Sequence, residues 1–438
     1  MPTRRDVLAT GATTALALAA GARPLVAAPT DPEPLPPLAR PTGPPAAVAR
    51  DEAYWTRVRA YYRTDVPAVN LEAGFFGMMA APVIAAYHRH IDTVNTRTSW
   101  YARREHDARL AEARARVART LGATPGEIAF SRGATEALQV LIAGYRGVRA
   151  GDVLLYADVD YPAMRWAMNA LAERTGATVH RLVLPEPITR DAVLETYRRA
   201  IASTPRLKLV LLTHLNNLSG AIIPVREIVA MARAAGADCI VDAAHSFGQC
   251  DLTLADLGAD FVGANLHKWY GAPVGAGVLY IREGRLDAIA RHFADEAAPA
   301  TSIDSRIHTG TTAFATFMTI PDALDFHEAV GPAYKAARLR LLRDRWVAAV
   351  RDVRGVDVLT ADGPDEVAAI TGIRLHGRTD RAANQQLVRT LLAEHGLFTQ
   401  WRTGLAGGDC VRITPALYNT LADADRLAAA LRALAARG

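Results

Sequence analysis

Lys268 stands in the run Asn265-Leu266-His267-Lys268-Trp269-Tyr270-Gly271, directly after the apolar stretch from Ala259 to Ala264. Another apolar run closes on an aspartate 26 residues earlier, Ile240-Val241-Asp242. Such runs read as buried strands, and a lysine and a carboxylate leaving neighbouring strand ends share one rim of an α/β sheet. Apolar and aromatic neighbours favour the neutral, nucleophilic amine of Lys268, because burial disfavours the ammonium. An ionised Asp242 at a buried strand end needs a cationic or hydrogen-bonding partner. Pyridoxal 5'-phosphate meets both needs, since its aldehyde forms an imine with a lysine and its ring nitrogen stays protonated opposite a carboxylate. The pair Lys268 and Asp242 therefore reads as catalytic, and the chain as an enzyme.

Other motifs fall at strand ends too. Ser131-Arg132-Gly133-Ala134-Thr135-Glu136-Ala137 is a glycine-containing turn that opens a helix. Its N–H groups and the Thr135 hydroxyl suit a phosphate at the positive helix end; an ordinary helix cap has the same appearance, and Lys268 downstream decides for phosphate. Tyr161, in Asp158-Val159-Asp160-Tyr161-Pro162, either stacks on the pyridine ring or packs at a helix start. Asn217, in Thr213-His214-Leu215-Asn216-Asn217-Leu218-Ser219-Gly220, either donates to the cofactor's phenolic oxygen or forms a turn. His245 follows Asp242 by three residues and contacts the cofactor or satisfies a backbone carbonyl. His267 is placed to donate to phosphate or shape proton transfer. The three cysteines, Cys239, Cys250 and Cys410, show no metal-ligand spacing, so no metal is expected.

These motifs need a frame. Apolar runs at 152–156, 178–183, 207–213, 237–241, 261–264 and 277–281 alternate with helical patterns at 135–144, 161–175, 190–203 and 225–235. Such alternation predicts an α/β fold with a mainly parallel sheet covered on both faces, and ligands at the carboxyl ends of its strands. After Pro321 the pattern changes to long amphipathic helices at 334–351 and 381–395 around short strands at 369–375 and 410–414, which reads as a smaller C-terminal α/β domain. No internal repeat is visible.

The first residues are set apart. Thr3-Arg4-Arg5-Asp6-Val7-Leu8 is a twin-arginine pattern, followed by an uncharged, weakly apolar stretch from Val7 to Ala22. Residues 1–28 are expected to be an export signal handled by the twin-arginine translocase, which implies a periplasmic or secreted enzyme. Eight prolines between Pro29 and Pro45 predict an extended linker over 29–48. A helical segment over 49–69, a large cofactor-binding domain over 70–320 and a small domain over 321–438 follow. Half of the 438 residues are apolar, ample for a large core, and the net charge of +5 is not arranged as a nucleic-acid-binding stripe.

The ordered series Gly133-Ala134-Thr135-Glu136-Ala137, Thr213-His214-x-x-Asn217-x-x-Gly220, Asp242-x-Ala244-His245, His267-Lys268 and Gly310-Thr311 resembles class V aminotransferase-fold enzymes of fold type I. The stretch Asn70 to Gly77 and the Asp160-Tyr161 pair are similar to isopenicillin N epimerase-like proteins. The resemblance implies a seven-stranded-type large-domain sheet and a homodimer acting on an amino acid or a peptide-linked amino group. It implies that Lys268 carries the cofactor, Asp242 faces the pyridine nitrogen, Tyr161 stacks, and Asn217 and His245 flank the phenolic oxygen. Ala134, Thr135 and His267 would hold the phosphate, with Thr311 reaching it from the other subunit. Arg412 would receive the substrate carboxylate and Phe75 would line the substrate site. Side-chain specificity would come from loops such as residues 96–104, whose arginines either face an acidic substrate or coat a helix. That group tends to carry a small polar residue where Phe75 stands and an amide where Glu72 stands, which bears on the substrate. Where cysteine desulfurases place a nucleophilic cysteine, about fifteen residues before the arginine, this chain has Leu397. Action at the α-carbon leaves epimerisation, transamination, β-elimination and oxidative siderophore-peptide tailoring open, with a non-catalytic binding protein as the alternative outside enzymes.

Overall fold

The protein is described by a computed structural model that covers residues 37–294 and 296–437; the expected export signal over 1–28 lies outside the described residues. Leu38–Gly438 group as one compact unit. Seven strands form its central sheet: β1 (Ile128–Ser131), β2 (Val153–Ala157), β3 (Thr178–Leu182), β4 (Leu207–Thr213), β5 (Asp238–Asp242), β6 (Phe261–Asn265) and β7 (Gly277–Ile281). Their order is β1-β7-β6-β5-β4-β2-β3. The five strands from β6 to β3 are parallel, and β7 runs antiparallel between β6 and β1.

Side chains alternate between the two faces of each strand. Leu209, Leu211 and Ile240 enter one apolar core with Leu138, Leu141, Met164 and Met168 from the helices Ala134–Gly144 and Pro162–Thr175. Val210, Leu212 and Val241 enter the other, with Val193, Tyr197, Ile228 and Val229 from Arg190–Ser203 and Val225–Ala234. Burial on both faces explains why these strands appear in the sequence as unbroken apolar runs.

A second sheet of β8 (Val356–Val358), β9 (Thr371–Leu375), β10 (Gln400–Arg402) and β11 (Cys410–Ile413) is antiparallel in the order β10-β11-β9-β8. It packs with helices Pro332–Val350, Arg381–His395 and Leu421–Ala435 through Trp346, Leu391, Val411 and Leu427. The chain's early segment joins this region, for Val69–Asn70 pairs in parallel with Leu397–Phe398 and Glu72 bridges Thr414.

Two expectations are corrected. The proline-rich segment is not extended to its end: Pro45–Val48 is a helical turn with proline at its first position, where a missing N–H costs nothing. Val48 is buried there, and its carbonyl accepts the Trp55 indole N–H at 2.8 Å. Residues 96–104, read as a specificity loop, belong to the long helix Ala81–Arg104, interrupted only at Thr98 with φ 48°. Arg97 bonds Glu105 at 2.7 Å, and none of these residues lines the cavity described below.

Because Ile240 is fully buried at the centre of the sheet, Ile240→Ala should cost about 2–5 kcal/mol of unfolding free energy. Denaturant titration of the two proteins checks this; a loss below about 1 kcal/mol would contradict the packing described.

Candidate active site

Parallel pairing sets Thr213 of β4, Asp242 of β5 and Gly263 of β6 level with one another. Asn265 closes β6, and the chain turns through His267 into Lys268. A cavity of about 740 Å³ opens at these strand ends. Ala134, Thr135, Tyr161, Asn217, Asp242, His245, His267, Lys268, Arg412 and Phe75 all line it. Thr311 does not; it is exposed and lies outside the cavity of its own chain.

Lys268 is the centre of a short relay. The Trp269 indole N–H donates to Nδ1 of His245 at 3.3 Å, and Nε2 of the same ring lies 3.0 Å from the Lys268 amine. A neutral imidazole that accepts at Nδ1 carries its proton at Nε2, so it donates to Lys268 whenever that amine is uncharged. Burial, followed by the positive charge of Lys268, holds His245 well below the usual histidine range. Burial likewise brings Lys268 down to about 8, with Asp242 opposing. The buried Lys335 amine, brought down to about 7 by burial, donates to the Trp269 carbonyl. The lysine turn is clasped from the other side by Gly77, whose N–H donates to His267 O at 2.9 Å. A Cβ at Gly77 would fall 1.7 Å from the Lys268 carbonyl oxygen, so only glycine allows this approach.

The donor set fits pyridoxal phosphate. Asp242 is buried, which raises its carboxyl, and Oδ1 accepts the Ala244 N–H at 2.9 Å; the nearby Lys268 charge also favours the carboxylate, which leaves it suited to a pyridinium. The Thr213 hydroxyl beside it is buried without a partner. At the far wall, helix Ala134–Gly144 begins at Gly133 with no side-chain cap, and its first-turn N–H groups face an anion-binding position. A Cβ on Gly133 would stand 3.1 Å from Asn265 Oδ1 and 3.2 Å from His267 Cε1, closing that cradle. The Ala134 N–H itself donates to Asn265 Oδ1 at 2.8 Å, and Thr135 is exposed at the mouth. His267 donates from Nδ1 to Ala276 O at 2.8 Å, leaving Nε2 for the cavity. The turn bearing Tyr161 is anchored by the buried Asp160, which accepts from Ala157 N and Thr213 N at 2.8 Å each. Tyr161 stays partly exposed over the opening.

Arg412 reaches the cavity from β11, but its donors are engaged. Nε and Nη2 meet the Glu72 carboxylate, and Nη1 donates to Asn217 O at 3.0 Å. Arg402 also binds Glu72, at 2.8 Å. Glu72 and Arg402 as charged partners, Trp269 as the relay's donor and Asn265 as the bridge to the phosphate turn are functional residues that sequence reasoning missed. Asn265, two residues after a strand end shared with Asp242, offered a signal; the Glu72–Arg412 pair, 340 residues apart, offered none. The three thiols are free, and none of them lines the cavity. Cys410 is buried and pushed up to about 12, while Leu397 is fully buried.

The sequence profile of the family "Aminotransferase class-V" matches residues 80–427. The isopenicillin N epimerase of Streptomyces clavuligerus is 29% identical over 406 residues, spanning 87% of this chain and 98% of that protein. A probable cysteine desulfurase of Vibrio cholerae serotype O1 is 27% identical over 344 residues, 73% of this chain and 81% of the relative. Among solved structures, a cysteine desulfurase from Escherichia coli superposes with a TM-score of 0.72 at 21% identity, covering 87% of this chain and 98% of the other. A cystine C-S lyase in complex with cysteine persulfide gives 0.72 at 20% identity, covering 83% and 97%. At these identities the structures establish likeness of fold.

With Lys268 titrating near 8, its neutral form predominates above that pH. The rate at which cofactor-free protein takes up pyridoxal phosphate should rise about tenfold between pH 7 and 9 and level off. An ordinary lysine would give about a hundredfold rise with no plateau, and that profile in stopped-flow absorbance would contradict the relay.

Proposed function

This chain belongs to the class-V aminotransferase family of pyridoxal-phosphate-dependent enzymes, and on that premise we propose that it removes the α-hydrogen of an amino acid or peptide-linked amino group, in the manner of an isopenicillin N epimerase. The observation that carries this reading is the buried Lys268 amine, 3.0 Å from His245 Nε2 within a cavity that also presents Asp242. When bound, the cofactor supplies an electron sink for the carbon that bears the substrate's amine. Asp242 would place negative charge beside the cofactor's pyridine nitrogen, and the Gly133 turn with His267 would hold its phosphate. Lys268 accepts the proton from the α-carbon and returns one, with His245 and Trp269 orienting its amine. Phe75 and Tyr161 line the opening. The absence of any thiol from the cavity speaks against desulfurase chemistry, which needs a cysteine at the substrate.

Arg4 and Arg5, before an uncharged stretch, support export through the twin-arginine pathway to the periplasm or beyond. The exposed Thr311 supports a symmetric homodimer in which it completes the partner's phosphate site.

Any true amino-acid substrate should exchange its α-hydrogen with solvent deuterium, and mass spectrometry of recovered substrate reads this directly. Lys268→Ala should abolish exchange, and Asp242→Asn should retain cofactor while slowing exchange by about a hundredfold or more. A product of inverted configuration identifies epimerisation, and turnover with the α-hydrogen fully retained refutes the proposal. Replacing Arg4 and Arg5 by lysine should hold the precursor in the cytoplasm on fractionation. In sedimentation, a monomer carrying full cofactor would rule out the dimer.

A further inference from the structure

Glu72 pairs with Arg412, the arginine that the family resemblance assigns to the substrate carboxylate. Its backbone is fixed between two strands: Ala73 N–H donates to Thr414 O at 3.1 Å, Thr414 N–H donates to Leu71 O at 2.7 Å, and Glu72 N–H donates to Asn70 Oδ1 at 2.9 Å. The Glu72 side chain is 7% exposed and that of Arg412 2%. Oε2 accepts from Arg412 Nε at 3.3 Å, and Oε1 accepts from Arg412 Nη2 and from Arg402 Nη2. The Nε–Nη2 edge, one of the two forks by which a guanidinium grips a carboxylate, is therefore filled. The other edge has given Nη1 to the Asn217 carbonyl. The guanidinium cannot retreat, because the backbone at Gly74 stands against it; a Cβ there would be 2.6 Å from Arg412 Cζ.

Arg402 is placed differently. It pairs with Glu72 through Nη2 alone, and its Nε is buried without a partner. It lines the cavity above Lys268 and also a neighbouring cavity of about 560 Å³ that shares Phe75, Phe76, Val274 and Gln400. Two guanidiniums and one carboxylate leave a single positive charge, and the donors still open for an anion belong to Arg402.

We propose that Glu72 is a specificity-determining residue: it fills the fork of Arg412 as a resident carboxylate, so that Arg402 receives the substrate's acid group and the site accepts one carboxylate and disfavours a second. This deepens the proposed function and rests on it in taking the cavity above Lys268 as the substrate site. A monocarboxylic amino acid neutralises the cluster. A dicarboxylic one sets its second acid against Glu72 in a buried setting, where like charges are costly.

Calorimetric titration of the cofactor-loaded enzyme with propionate and succinate tests the assignment without turnover, so its result is separate from that of α-hydrogen exchange. The wild type should bind succinate no more tightly than propionate beyond the factor of about two that its two equivalent acid groups give by counting. Glu72→Gln frees the Arg412 fork and should raise that ratio at least fivefold, whereas Glu72→Asp, which keeps the charge, should raise it less. Arg402→Leu should weaken both acids at least tenfold. A wild type that binds neither acid, or prefers succinate beyond that factor of about two, overturns the proposal whether or not the variants fold. So does a folded Glu72→Gln with a ratio within fivefold of wild type, or an Arg402→Leu that binds both acids as wild type does.

Discussion

The hydrogen-bonded relay from the Trp269 indole through the His245 imidazole to the Lys268 amine is the constraint on which the rest of the cavity depends. A lysine at the rim of a sheet is ordinarily an ammonium, and its charge would repel the Arg402–Arg412 pair and claim Asp242 as its own partner. In its uncharged form, which burial brings within reach by lowering the amine to about 8, it leaves Asp242 free for a cationic partner and adds no charge to the Arg402–Arg412–Glu72 cluster. The relay is built from three residues on two adjacent strand exits, β5 and β6, so the parallel pairing of those strands is its direct cause. The Lys335 side chain, donating to the Trp269 carbonyl, ties the relay to helix Pro332–Val350.

The central sheet was largely legible because its strands are buried on both faces. Leu207–Thr213 and Gly277–Ile281 begin and end where the sequence reading placed them, and the other runs differ by about a residue at their ends. β1 escaped notice since four residues, Ile128–Ser131, make too short a run to stand out from its surroundings. Helix Ala81–Arg104 was hidden by its composition: only Val83, Ala86 and Tyr101 are buried, and the polar remainder reads as loop. The small sheet was legible in β9 and β11 and not in β8 or β10, which have three residues each.

The candidate site was legible as far as chemistry travels with strand ends. Lys268, Asp242, His245 and Asn217 could be placed because each follows an apolar run, and the sheet brings those exits together. The charged pairing above them was not legible, because Glu72 and Arg412 meet only after the two ends of the chain come together, and no local pattern encodes that meeting. Arg412 could be recognised as a cation near the site, but not as one already satisfied.

The parallel pairing of Val69–Asn70 with Leu397–Phe398 has a consequence for the order of events in a cell. Val69–Asn70 pairs with a strand made far later in the chain, and the two segments bring Gly77 onto the lysine turn and Glu72 onto Arg412. Until residues 397–414 have been made, the strand pair and the Glu72–Arg412 contact cannot close, so this wall of the cavity is completed only after every strand of the central sheet has been synthesised.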